Sequence, residues 1–281
     1  MKNNNALIKT GLFAVFIIIG LIYVMNYPLS IWIASTISNV DRQEYFYVGY
    51  LTIYTFVAFF TVACCLYMEQ DNLENFHFDK LSLAIFAFSG LWQFVEWFDL
   101  LAAKEFSHIW ILLPTSLFIL YILIRKWKQL PNPNWRWVFA SILIALFVLI
   151  PATFIDYWYT QEISALPLNT AMGDLFTQLG ANFKFSLAFV RLEEVIFRGL
   201  LWGYLRKLNW KENSIFVVQA VLFWFAHPGN MAYPLIFFVS LPLIIFATSF
   251  IVKRSRQLFP AMVCHLLYNL FVGLIWQFLV K

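Results

Sequence analysis

The sequence predicts an all-α protein: a polytopic transmembrane helical bundle of about eight to nine spans. Three observations carry that expectation. Of 281 residues, 62% are hydrophobic and only 12% are charged, far from the roughly half-apolar, quarter-charged mixture of soluble domains. Apolar runs of about 20 residues, enough to cross ~30 Å of hydrocarbon, recur along nearly the whole chain and leave no room for a sizeable soluble domain. Aromatic residues, 20% of the total, crowd the ends of many runs as interfacial belts do.

The first run lies in MKNNNALIKTGLFAVFIIIGLIYVM. Its lysines followed by an apolar stretch resemble a secretory signal, but it has no small-x-small cleavage site and is long enough to span, so it reads as a retained first helix near 8–25. Further spans are expected near 48–68, 81–98, 109–124, 137–156, 183–205, 214–227, 231–252 and 258–280. Pro114 and Pro151 fall inside two of them, where membrane helices tolerate a kink. Segment 27–47 has room for a re-entrant piece, and HPGN at 227–230 for a break within one element. EQDNLENFHFDK at 69–80 reads as a solvated acidic loop whose His77 has no evident ligand partner. Gln93, Glu96 and Asp99, at three-residue steps near a span end, read as an interfacial helix end in preference to a substrate path.

The net charge of +4 is modest and collects in short loops, which sets orientation and gives no reason to expect nucleic acid as a partner. Lys2 and Lys9, RKWK at 125–128 with Arg136, RKLNWK at 206–211 and KRSR at 253–256 all fall on one side if the nine spans alternate. The positive-inside rule then puts the N-terminus inside, the C-terminus outside and 157–182 outside. A multi-pass protein of the cell membrane, plasma or inner, is expected. Cys64, Cys65 and Cys264 have neither disulfide-framework nor CxxC metal spacing.

EEVIFR at 193–198 is the anomaly, because it puts two carboxylates and a guanidinium in a helix otherwise composed for lipid. Helix positions four apart share a face and adjacent ones lie about 100° apart. Glu194 therefore sits beside Arg198, with Arg191 and Lys184 continuing that stripe, and Glu193 points elsewhere. Ionisable groups in a membrane are costly, so Glu193 needs a partner or a proton from another helix. An ion-pair cluster that only locks two helices together is the competing explanation. Two further spans offer polar groups: Phe223 and His227 stand four apart in FWFAH, where Pro228 and Gly229 end the helix, and His265 and Asn269 stand four apart in HLLYN.

EEVIFR fits EExxxR, FWFAH fits FxxxH and HLLYN fits HxxxN, in that order within about the last 110 residues. In this the chain resembles the CAAX protease and bacteriocin-processing (CPBP, Abi) family of intramembrane proteases. The resemblance covers roughly 171–281 and divides the chain into an N-terminal transmembrane region, 1–170, of unknown role and a protease domain, 171–281. It implies a helical bundle around a polar cavity in which Glu193 and His227 activate a water for attack on a peptide carbonyl. His265 and Asn269 would stabilise the oxyanion, Glu194 and Arg198 would orient the site, and Phe223 would shape the pocket. A carboxylate kept from bulk water is suited to general-base work, and a desolvated site strengthens hydrogen bonds to an oxyanion.

Glu193, His227 and His265 could in principle form a His2Glu zinc site. HExxH is absent and Asn269 is a poor zinc ligand, so no cofactor is expected, with zinc the alternative. Cys264 lies about 100° from His265 and reads as packing. The expected partners are the bilayer and a membrane-associated or exported protein or peptide substrate. The alternatives are a non-proteolytic immunity or scaffold protein on the same fold, and an ion-coupled transporter, against which stands the lack of a paired repeat.

Overall fold

The computed structural model describes residues 2–24, 40–88, 109–160, parts of 179–188, 189–228 and 234–279. Among them every regular element is a helix: α1 (Lys2–Val24), α2 (Val40–Met68), a 3-10 turn (Leu73–Phe76), α3 (80–88), α4 (Ile109–Lys126), α5 (Trp135–Thr160), α6 (189–207), α7 (Glu212–Phe225), α8 (234–255) and α9 (Phe259–Leu279). Among the described residues, three helical stretches are long and apolar enough to cross a membrane, namely Ala6–Val24, Trp135–Ala152 and Ile236–Ser255. Pro114 and Pro151 lie inside α4 and α5. The expectations for Gln93, Glu96, Asp99, Lys184 and most of segments 27–47 and 157–182 fall outside the described residues.

Each long helix is apolar on both sides, and packing decides which side is buried. On α5, Val138, Ser141, Ala145, Val148, Leu149 and Ala152 face the bundle, whereas Phe139, Leu143, Phe147 and Ile150 are exposed. Both stripes follow helical spacing, and a wholly apolar outer face suits lipid. α9 packs along α5 and α8, α7 against α8, and α1 against α2 and α6.

The basic segments at 125–128, 206–211 and 253–256 meet at one end of the described helices. There Lys126 pairs with Asp71 and Lys207 with Glu69, while Arg206 Nε donates to Glu212 Oε1 at 2.6 Å and Arg256 Nη1 to the same oxygen at 3.2 Å. Gln257 ties Asn132 to Asn134 through backbone bonds of 2.8 and 2.6 Å. Burial alone would raise the Glu212 pKa, but the Arg206 bond and charge, Trp202 and Arg256 outweigh it and hold the carboxyl down at about 2.

Segment 69–80 corrects the expectation of a solvated loop. Glu69, Leu73, Phe76, His77, Phe78 and Asp79 are all buried. The reason is space on α6: a Cβ on Gly203 would lie 2.1 Å from the Phe76 ring, and one on Gly199 would lie 3.5 Å from the Phe76 carbonyl. Two glycines thus open a groove into which Phe76 settles. The polar groups carried in with it are paired, as buried polar groups must be. Asp79 Oδ1 accepts from the Leu81 and Ser82 amides at 3.0 Å, and Ser82 Oγ accepts from the Asp79 amide at 3.0 Å, a reciprocal cap on α3. Its other oxygen accepts from the Phe259 amide at 3.0 Å, and the His77 carbonyl accepts from Leu258 at 2.9 Å. One carboxylate therefore caps both α3 and α9.

Candidate active site

The candidate residues come from three helices. α6 is not a plain α-helix: Glu194–Leu201 forms a π-helical stretch that passes into α-helix at Trp202–Lys207. Single π turns inside α-helices are uncommon and cluster at functional sites. Glu194 and Arg198 still pair, Nη1 to Oε1 at 2.6 Å with both side chains fully buried. The wider turn lets the neighbouring carboxylates open onto the same space, Glu193 toward His227 and Glu194 toward His265.

α7 brings His227. The helix has 14 residues, about 21 Å at 1.5 Å per residue, too short to cross ~30 Å of hydrocarbon. A helix starting at the basic face thus ends inside the bundle, and His227 follows its last turn. α9 brings His265 from its second turn, beyond the Asp79 cap.

Hydrogen-bond chemistry fixes the histidine tautomers. His227 Nδ1 lies 2.9 Å from the Phe223 carbonyl, which can only accept, so Nδ1 carries hydrogen and Nε2 is the free atom. Nε2 faces Glu193 Oε1 at 3.5 Å. His265 Nδ1 lies 2.9 Å from Glu194 Oε1, the oxygen that also takes Arg198. Its Nδ1–H donates there, and its Nε2 faces Glu193 Oε2 at 3.9 Å. Glu193 thus stands between two imidazoles, each presenting Nε2.

Aromatic groups close the site. The Phe223 ring lies 4.8 Å from Phe197, 4.8 Å from His227 and 5.9 Å from His265, with the Arg198 guanidinium 4.7 Å from its centroid. Such packing excludes water from behind the ion pair and strengthens the electrostatics in front of it. Cys264 is fully buried beside His265. Arg191 is buried on α6 with its guanidinium 4.9 Å from the Phe59 ring.

The fit to zinc can be tested on the donors. Pinned Nδ1 atoms leave both Nε2 atoms free, as ligand histidines require. Glu193, however, turns a different oxygen to each imidazole, and among the described residues no three His, Cys, Asp or Glu side chains gather where one ion would hold them.

Glu193, Glu194, Arg198, His227 and His265 are therefore brought together. Asn269 is half-buried one turn beyond His265 on α9 and makes no hydrogen bond to the other five. Sequence reasoning missed the polar groups behind Arg198. Ser249 and Gln219, both fully buried, join it through Arg198 Nε to Ser249 Oγ at 3.3 Å and Gln219 Nε2 to the same oxygen at 2.6 Å. A lone Ser and a lone Gln in apolar runs carry no spacing signal. His77 was also missed as a partner: its Nδ1 donates to the Arg198 carbonyl at 3.2 Å and its Nε2 accepts from Arg206 at 2.7 Å.

No curated protein and no solved structure matches the chain. The apolar helices and the family comparison agree on an integral membrane protein. Residues 176–271, which hold all six candidate side chains, match the family described as type II CAAX prenyl endopeptidase Rce1-like, and over that segment the resemblance of EEVIFR, FWFAH and HLLYN to the CAAX protease family is shown.

Proposed function

We propose that this protein is an intramembrane endopeptidase that hydrolyses a peptide bond in a membrane-associated or exported protein or peptide. The observation that carries the reading is the 3.5 Å approach of His227 Nε2 to Glu193 Oε1. With Nδ1–H held by Phe223, both facing atoms accept hydrogen bonds. A water donating one hydrogen to each would keep its lone pairs free for attack, and loss of a proton to this pair makes it a nucleophile. The proton released to Glu193 then passes from Oε2 to His265 Nε2, 3.9 Å away, which donates it to the oxyanion while Nδ1–H stays on Glu194. The Asn269 amide supplies a second donor once substrate is bound. Arg198 holds Glu194 Oε1 in place, and that oxygen keeps the His265 ring oriented through Nδ1–H. No step is routed through a metal.

The same reading assigns 171–281 as the protease domain and 1–170 as an N-terminal transmembrane region of unknown role. It also assigns a chain of eight to nine spans to the cell membrane, plasma or inner. The test is cleavage of a membrane-tethered peptide library by purified protein and its Glu193→Gln variant, each with and without chelator. The expected result is loss of cleavage in the variant by a factor of about 10² or more and no effect of chelator on the wild type. Loss with chelator restores zinc, and no cleavage by a folded wild type moves the assignment to an immunity or scaffold protein.

A further inference from the structure

The ion pair that holds His265 is itself held from behind. Arg198 has no exposed atom, and each of its nitrogens has one acceptor: Nη1 on Glu194 Oε1 at 2.6 Å, Nη2 on the Ile245 carbonyl at 3.2 Å and Nε on Ser249 Oγ at 3.3 Å. A guanidinium only donates, so Ser249 Oγ must accept from it. The serine hydrogen goes to the Ile245 carbonyl at 2.6 Å, and the remaining lone pair takes Gln219 Nε2 at 2.6 Å. Gln219 cannot be turned over, because the same nitrogen also donates to the Phe216 carbonyl at 3.1 Å. Every bond direction in this chain is therefore forced.

We infer that Ser249 and Gln219 are positioning residues that lock the Arg198 fork and, through Glu194, fix the tautomer of His265. Glu194 Oε1 is where Arg198 and His265 meet. If the fork turns, that oxygen moves and His265 Nδ1 loses its acceptor. The hydrogen bonds of Ser249 and Gln219 go to Arg198, to each other and to the Ile245 and Phe216 carbonyls, so their path to the chemistry runs through Arg198. The chain of contacts links α7, α8, α6 and α9 at one depth. The inference deepens the endopeptidase reading and rests on it for its kinetic consequence, whereas its consequence for His265 is structural and stands apart.

The experiment uses the full-length protein in detergent micelles and the variants Ser249→Ala, Ser249→Thr and Gln219→Leu. Hydrolysis of a tethered peptide is measured alongside 15N spectra of labelled histidine, which distinguish a ring nitrogen carrying hydrogen from a bare one. Ser249→Ala is expected to lower kcat about tenfold with KM unchanged, the effect of losing one hydrogen bond to a charged group. Thr keeps the hydroxyl on the carbonyl one turn back and is expected to restore kcat. In Ser249→Ala and Gln219→Leu the His265 signals change from one fixed tautomer to a mixture, while those of His227 stay as they are. Folded variants with wild-type kcat and unchanged His265 signals overturn the inference. Should the wild type cleave nothing, the endopeptidase reading fails and the spectra alone decide: a shift confined to His265 supports the inference and its absence overturns it. If Ser249→Ala does not fold, Gln219→Leu carries the same test.

Discussion

Replacing Arg198 with Leu removes the guanidinium paired with Glu194 in a site where both side chains are fully buried. Three donor contacts go at once, to Glu194, the Ile245 carbonyl and Ser249. Leaving one member of a buried ion pair without the other costs about 3–5 kcal/mol. For a chain of this size, at roughly 2–4 °C per kcal/mol, Tm is expected to fall by roughly 6–20 °C. The assay is built into the molecule, since Cys65 and Cys264 are buried and a thiol-reactive fluorophore in detergent reports their exposure on heating. A paired control separates charge from volume. Replacing both members of a buried pair with apolar groups of similar size is often neutral or stabilising, so Glu194→Met with Arg198→Leu is expected to recover most of the lost Tm while hydrolysis stays abolished. An Arg198→Leu protein melting within about 2 °C of wild type would refute the reasoning, because the pair would then contribute less than about 1 kcal/mol.

Three further expectations concern the basic face. Gly203→Ala forces a methyl to within 2.1 Å of the buried Phe76 ring, an overpacking cost of about 1–3 kcal/mol; the same melt should show it, with relief when Phe76→Leu is added. Asp79→Ala uncaps α3 and α9 together at about 0.5–2 kcal/mol for each end, and hydrogen exchange should quicken at the Leu81, Ser82 and Phe259 amides, with Asp79→Asn intermediate. His77 is held neutral by burial and by the neighbouring Arg206 charge, its pKa lowered to about 3 from an ordinary value near 6.5. A histidine whose folded pKa is depressed contributes stability that is present above the unfolded value and lost as pH falls toward the folded one. Tm is therefore expected to drop as pH is lowered from 6.5 toward 3, and less steeply in His77→Gln; equal slopes would show that protonation elsewhere sets the profile.

Composition determined the solvent and the helical class. A chain with 62% hydrophobic and 12% charged residues must satisfy its backbone within helices if it crosses lipid. The i, i+4 spacing of Glu194 and Arg198 was enough to foresee their ion pair, and the unmatched Glu193 was enough to demand a partner on another helix. Spacing within one helix could not say which partner. That was decided by the depth at which short α7 stops, by the Asp79 cap that seats the start of α9, and by a π turn in α6 that opens two adjacent carboxylates toward two histidines. Segment 69–80 was misread for the same physical reason. Its polar residues look soluble one by one, and only a groove opened by Gly199 and Gly203, with Lys207, Arg206 and Phe259 supplying donors across it, turns them into an interior. Local sequence sets which groups each helix carries. Which of them share a buried space is a property of packing between segments far apart in the chain, and in this protein that packing brings Glu193, Glu194, Arg198, His227 and His265 together.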